Sequence, residues 1–237
     1  MSFFLCTFAP YLFNPPQNST IMAKKLEIIP TIKEGVSIAL VNYLSILAAV
    51  VLYVLTIWIP YLNVGTTIAM ASLPAELAKG NVVNPLFIFD GKFRRNMGEF
   101  FILMSLMFGA ISVGFLFLII PGIVISYAWY IAIILFVDKD RSALDALRES
   151  NKLTYGNKAR IFWIETVLAI ALCLACGIIA GIFSIGHIGW LEGIGTFLVI
   201  VLAVFFVPAM LGVEAVIYKS LTAPEAPASP APAPAAE

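Results

Sequence analysis

The sequence predicts an all-α integral membrane protein: a six-helix bundle with both termini on the cytoplasmic side and a short helix at the inner interface. Three observations carry that prediction. Hydrophobic residues fill 61% of the 237 positions and charged residues only 12%, where an average soluble domain carries about 25% charge. A water-soluble core cannot absorb that much apolar surface, which leaves hydrocarbon as the solvent. Several apolar runs reach the roughly 20 residues needed to cross about 30 Å of bilayer core. Finally, the fourteen Lys and Arg residues fall into a few segments that six crossings would gather on one side, as the positive-inside rule requires.

Residues 1–21 lack a basic n-region and a small-residue cleavage site, so they make a poor signal peptide. Met22-Ala-Lys-Lys reads as a more natural start, with 1–21 as an N-terminal extension to a polytopic domain over 22–221. Asn18-Ser19-Thr20 matches a glycosylation sequon, which a cytoplasmic segment never presents to that machinery. The first crossing is expected at 36–59. The second, 62–78, is only moderately apolar and carries Pro74 and Glu76. It crosses because only then do all the cations share a face.

Next come about forty nearly uncharged residues, with "FLIIPGIVISYAW" in their middle. Pro121 and Gly122 end one helix and permit a reversal, dividing the run into crossings at 98–120 and 122–137. The fifth and sixth crossings are expected at 161–185 and 194–218. Between the fourth and fifth, Ser142 can cap a short amphipathic helix, with Asp145 completing a capping-box-like start and Gly156 as its stop. Trp58, Tyr61 and Trp190 fall near the outer interface and Trp163 and Tyr218 near the inner one; Trp129 and Tyr130 read as packing residues. The Pro/Ala-rich end, 222–237, cannot bury a core and is expected to be disordered.

The block Ile120 to Trp163, "IPGIVISYAWYIAIILFVDKDRSALDALRESNKLTYGNKARIFW", resembles a group of uncharacterised bacterial polytopic membrane proteins related to the membrane domain of glycerophosphoryl diester phosphodiesterases. The likeness lies in Ile-Pro-Gly before an apolar helix ending at Asp138, in Ala146, Leu147 and Ser150, and in Tyr155-Gly156-Asn157-Lys158. Upstream "NPLFIFDGKF" and the closing "GTFLVIVLAVFFVPAMLGVEAVIYKSL" extend it over residues 65–221. The resemblance implies an integral membrane fold and no particular activity. No phosphodiesterase catalytic domain accompanies it in this sequence.

Four groups of residues are candidates for function. Lys92, Arg94 and Arg95, with Arg141, Arg148 and Lys152 around the interfacial helix, can touch anionic headgroups, or they can simply be a solvated connector obeying topology. Glu165 and Glu214 each lie roughly 7 to 8 Å inside the cytoplasmic edge by helix rise. They can hold a cation or proton, receive a loop cation, or snorkel to the interface. Ala169, Cys173, Gly177 and Gly181 recur every fourth residue and suit close helix packing, within the chain in preference to between copies; Cys173 and Cys176 are read as part of that packing, not as a redox pair. Pro74 and Pro208 are expected to interrupt their crossings. His187 and Glu192 lack the third ligand of a catalytic zinc site, so no metal and no cofactor are expected.

No Ser/His/Asp set, phosphate-binding glycine loop or multi-cysteine spacing appears, and no basic patch interleaved with aromatics suggests nucleic acid. The expected function is therefore non-enzymatic: a structural, lipid-contacting or partner-binding role in the bacterial inner membrane. Its partners would be membrane lipids, with other membrane proteins or a second copy as further partners. The alternative is a small-solute or ion transporter or channel using the two glutamates; a weaker third is an intramembrane enzyme acting on lipid.

Overall fold

The computed structural model describes residues 25–117, 119–184 and 189–223. The N-terminal extension, His187 and the tail beyond Ala223 lie outside them. Among the described residues all regular structure is helical. The helices are α1 (Ile28–Val41), α2 (Tyr43–Thr56), α3 (Pro60–Ala78), α4 (Lys92–Arg95), α5 (Met97–Phe117), α6 (Ile119–Ala128), α7 (Ala132–Asp138), α8 (Ala143–Thr154), α9 (Lys158–Ser184) and α10 (Gly189–Thr222), with a 3-10 turn over Pro85–Phe89.

Four helical stretches are long and apolar enough to cross a membrane: α5, α6 with α7, α9 and α10, at mean hydropathies of 2.2 to 2.7. A fifth appears if the bent pair α1 and α2 is taken as one. Only 6% of the apolar window of α9 and 11% of that of α10 is buried inside the protein. Apolar side chains exposed on that scale need a hydrocarbon neighbour, which is consistent with a membrane protein.

The helix expected over 62–78 is α3, and its moderate hydropathy has a simple cause. It is covered by protein: Thr66, Ala69, Ser72, Leu73 and Leu77 are all buried, packed against α2, α7 and α10. Small and hydroxyl-bearing residues let those neighbours approach, and Thr66 bonds Thr56 of α2 across the pair at 2.8 Å. Neither Pro74 nor Pro208 breaks its helix, contrary to expectation; both are buried among neighbouring helices that tolerate the missing N–H.

Two expected boundaries move. The single first crossing over 36–59 is two helices bent by 77° at Asn42. The Asn42 side chain donates to the Ile38 carbonyl at 3.3 Å and accepts the Val83 amide at 3.4 Å, offering the backbone an alternative to continued helix. α1 instead seats on α10 through the small stripe Thr31, Gly35 and Ala39. The approach is so close that a Cβ on Gly35 would lie 2.5 Å from the Val213 backbone.

The boundaries around the expected Pro121 and Gly122 reversal also differ: α5 runs to Phe117 and α6 begins at Ile119, with Pro121 inside its first turn. There its missing N–H has no helical partner to lose. Gly122 keeps its role in the hairpin by a different means: a Cβ there would sit 2.6 Å from the Phe115 ring, and one on Gly114 would sit 2.9 Å from Gly122 itself.

The span Ile119–Asp138 is broken at residues 129–131. The break leaves the Ala128 carbonyl at a helix end, and α8 satisfies it: Ser150 and Thr154, both buried, donate their hydroxyls to it at 2.9 and 3.1 Å. Ser142 caps α8 as expected, accepting from the Asp145 amide at 3.3 Å, and Gly156 ends it at φ +80. The apolar face of α8, Ala146 and Leu147, is buried against the chain's own helices, so the protein covers it in place of lipid.

The connecting segments meet at one end of the bundle. Lys79 pairs with Asp138 at 2.6 Å, Glu34 with Lys219 at 2.9 Å, Asn96 donates to Asp140 at 2.6 Å and the Leu26 amide to Asn157 at 3.1 Å. The stripe Ala169, Cys173, Gly177 and Gly181, by contrast, is exposed along its length. No side chain approaches either glycine, which corrects the expectation of packing within the chain; α9 packs through Ile161, Ile164 and Leu168.

Gly212→Ala, whose methyl would meet the Gly35 carbonyl, is expected to lower stability by about 1 to 3 kcal/mol. The readout is the melting temperature of detergent-purified protein. Gly177→Ala, in open space, should leave it unchanged or slightly raised; equal effects would contradict the α1–α10 seat.

Candidate functional site

At the connecting end, α7 stops at Asp138 and α3 at Ala78, bringing a carboxylate to a helix C-terminus where the dipole disfavours it. Two neighbours offset that cost. Lys79 makes the 2.6 Å ion pair, and the Tyr218 hydroxyl of α10 donates to the other carboxylate oxygen, Oδ2, at 2.6 Å. Glu76 lies one turn back on α3, 3.2 Å from the same ammonium. The hydrogen bond that Lys79 donates to Asp138 holds the Lys79 pKa above its ordinary value, against partial burial acting the other way.

These groups border a cavity of about 360 Å³ between α3, α4 and α7. Its mouth carries Lys79, Lys92 and Arg95 against Glu76, Asp138 and Asp140, three charges of each sign. Its deeper wall is Ile68, Ala75, Phe93, Phe136 and Val137, with Ser72 between. Ile68 and Lys79 stand eleven positions apart on α3, about 16 Å by helix rise. The cavity is thus charged at one end and apolar at the other. A second hollow beside it shares Glu76 and Lys92 and runs to Asn81, Val83 and Asn84.

The six cations singled out in the sequence divide in the structure. Lys92 and Arg95 reach the cavity and are exposed. Arg94 turns inward: its stem lies over Gly65, 2.7 Å from where a Cβ would be, and its guanidinium donates to the Phe89 carbonyl at 3.3 Å. It belongs to the fold, a correction to its reading as a headgroup contact. Arg141 shares Glu149 with Lys139, at 3.2 and 2.8 Å. Arg148 stands 3.9 Å from Asp145, and Lys152 is exposed.

Glu165 and Glu214 fall on neighbouring helices. Glu165 lies on α9 and Glu214 on α10, and these two helices pack together. Glu165 pairs with no cation among the described residues: Tyr130 donates its hydroxyl to Oε1, and Tyr127 stacks on Tyr130 with ring centroids 6.2 Å apart. Sequence reasoning treated Tyr130 as packing, and a hydroxyl on an apolar helix was the signal that could have flagged it. It also passed over Glu76, Lys79 and Asp140. Their position at or just beyond the ends of apolar helices, near others of opposite sign, was the available clue.

No protein-family model, curated protein or solved structure matches this chain.

A double-mutant cycle of Lys79→Met and Asp138→Asn tests the pair that closes the charged end. Lys79 is 47% exposed, so a coupling of only about 0.5 to 1 kcal/mol is expected, smaller still in high salt. A coupling near zero at low salt would remove the pair from the account.

Proposed function

We propose that this chain is an integral protein of the bacterial inner membrane with six crossings and both termini in the cytoplasm. Its role is non-enzymatic and rests on contact with phospholipid at the inner leaflet. α2 and α3 would form the first hairpin, α5 and α6–α7 the second, and α9 and α10 the third. The meeting of the connecting segments at one end supports this arrangement, because every described Lys and Arg then faces the same leaflet. Under this reading the resemblance of residues 65–221 to polytopic membrane proteins extends to topology, and no catalytic activity is inherited with it.

The observation that carries lipid contact is the shape of the cavity's chemistry: charged at the mouth, apolar about 16 Å deeper, and opening where headgroups would lie. An amphiphile matches both ends at once. Lys92 and Arg95, exposed at its mouth, supply cations to a phosphate.

Ion or small-solute transport is a second reading, favoured by the hydrogen bond of Tyr130 to Glu165 on α9, the helix packed against the α10 that carries Glu214. An ionisable pair inside a span is a functional candidate by default.

Phosphorus analysis after extensive detergent exchange is expected to find phospholipid retained by the protein. The Lys92→Gln/Arg95→Gln variant should retain at least about tenfold less, from roughly 1 kcal/mol per cation. Equal retention would overturn the lipid reading. Ion flux in reconstituted vesicles that disappears with Glu165→Gln/Glu214→Gln would establish transport in its place.

A further inference from the structure

The cavity's charges are not equivalent once their internal pairings are taken away. Lys79 and Asp138 neutralise one another at 2.6 Å, with Tyr218 and Glu76 completing their contacts. Arg95 makes no hydrogen bond or ion pair among the described residues. Lys92 has only Asp90 at 3.9 Å and the face of Phe93, 4.8 Å from the ring centroid. Asp140 accepts from a neutral donor alone, the Asn96 amide at 2.6 Å, and its left-handed backbone, φ +47, holds it just beyond α7 at the cavity's edge. Arg95, Lys92 and Asp140 are left to face an occupant, with Glu76 held 3.2 Å from an ammonium that Asp138 already neutralises.

We propose that the cavity takes the headgroup of an amine-bearing, zwitterionic phospholipid of the phosphatidylethanolamine type, with the phosphate on Arg95 and Lys92 and the ammonium on Asp140. This rests on the lipid-contact reading above and adds the class of lipid. A singly charged phosphodiester matches the two cations. A primary ammonium donates up to three hydrogen bonds to a carboxylate, whereas a glycerol headgroup brings Asp140 no charge and a trimethylammonium brings it no donor. The glycerol backbone and first acyl carbons then lie against Ala75, Phe136 and Ile68. The occupant is a lipid in preference to a free headgroup because a soluble phosphoethanolamine ester would leave that apolar floor uncovered.

Native mass spectrometry of the full chain, titrated with phosphatidylethanolamine and phosphatidylglycerol, tests the assignment. The amine lipid should bind about tenfold tighter, the worth of one charge-assisted hydrogen-bonding contact. Asp140→Asn keeps an acceptor for Asn96 and tolerates the same backbone; it should bring the two lipids level. Arg95→Gln should weaken both by a similar factor, and unchanged melting temperatures show that each variant is folded. Equal binding by the natural protein, or a preference that survives Asp140→Asn, overturns the headgroup assignment while leaving lipid contact intact. Binding of neither lipid overturns the functional reading as well. Displacement of the lipid by equimolar glycerophosphoethanolamine would show that the site takes the soluble headgroup.

Discussion

In hydrocarbon a backbone carbonyl without a partner finds no water to replace it, so each break in an apolar helix must be closed by the protein itself. The architecture here follows from two such breaks. At Asn42 the side chain supplies both a donor to Ile38 and an acceptor for Val83, tying the bend to the segment after α3. At Ala128 the hydroxyls of Ser150 and Thr154 close the carbonyl from below, and that requirement draws α8 onto the bundle. A helix that composition alone would lay on the membrane surface is held by the protein because a helix end needs its hydroxyls.

The connecting end obeys a second constraint. Cations gathered on one face of a membrane protein repel one another unless carboxylates are interleaved, and here they are: Asp138 with Lys79, Glu149 with Lys139 and Arg141, Glu34 with Lys219. Of the charges this pairing leaves over, Arg95, Lys92 and Asp140 border one cavity. Glu165 is handled differently, by the Tyr130 hydroxyl in place of a cation, as suits a group inside the apolar zone.

Much of this was legible in the sequence because the dominant signal is local. Long uniform apolar runs fixed α5, α9 and α10 to within a few residues at most ends, and Ser142 and Gly156 marked both ends of α8. What was missed depends on partners far along the chain. Asn42 bends its helix for an amide 41 residues away. Arg94 leaves the surface because Gly65 makes room for its stem. Tyr130 gains meaning only from Glu165. The four-residue spacing from Ala169 to Gly181 correctly defined a stripe, but periodicity does not say which side of a helix its neighbours occupy, and here they occupy the other. The Pro74 and Pro208 expectations failed for a related reason: proline ends a helix exposed to water more readily than one enclosed by other helices.

The central claim is that hydrocarbon surrounds these helices and that the cationic connections all face one leaflet. Single cysteines at Trp58, in the α2–α3 turn, and at Lys152, on α8, introduced into a cysteine-free background, probe it directly with a membrane-impermeant thiol reagent. In intact cells lacking an outer-membrane barrier, Trp58→Cys should react at once and Lys152→Cys only after permeabilisation. Labelling of Lys152→Cys from outside would contradict the six-crossing arrangement and, with it, the placement of the charged cavity at the inner leaflet.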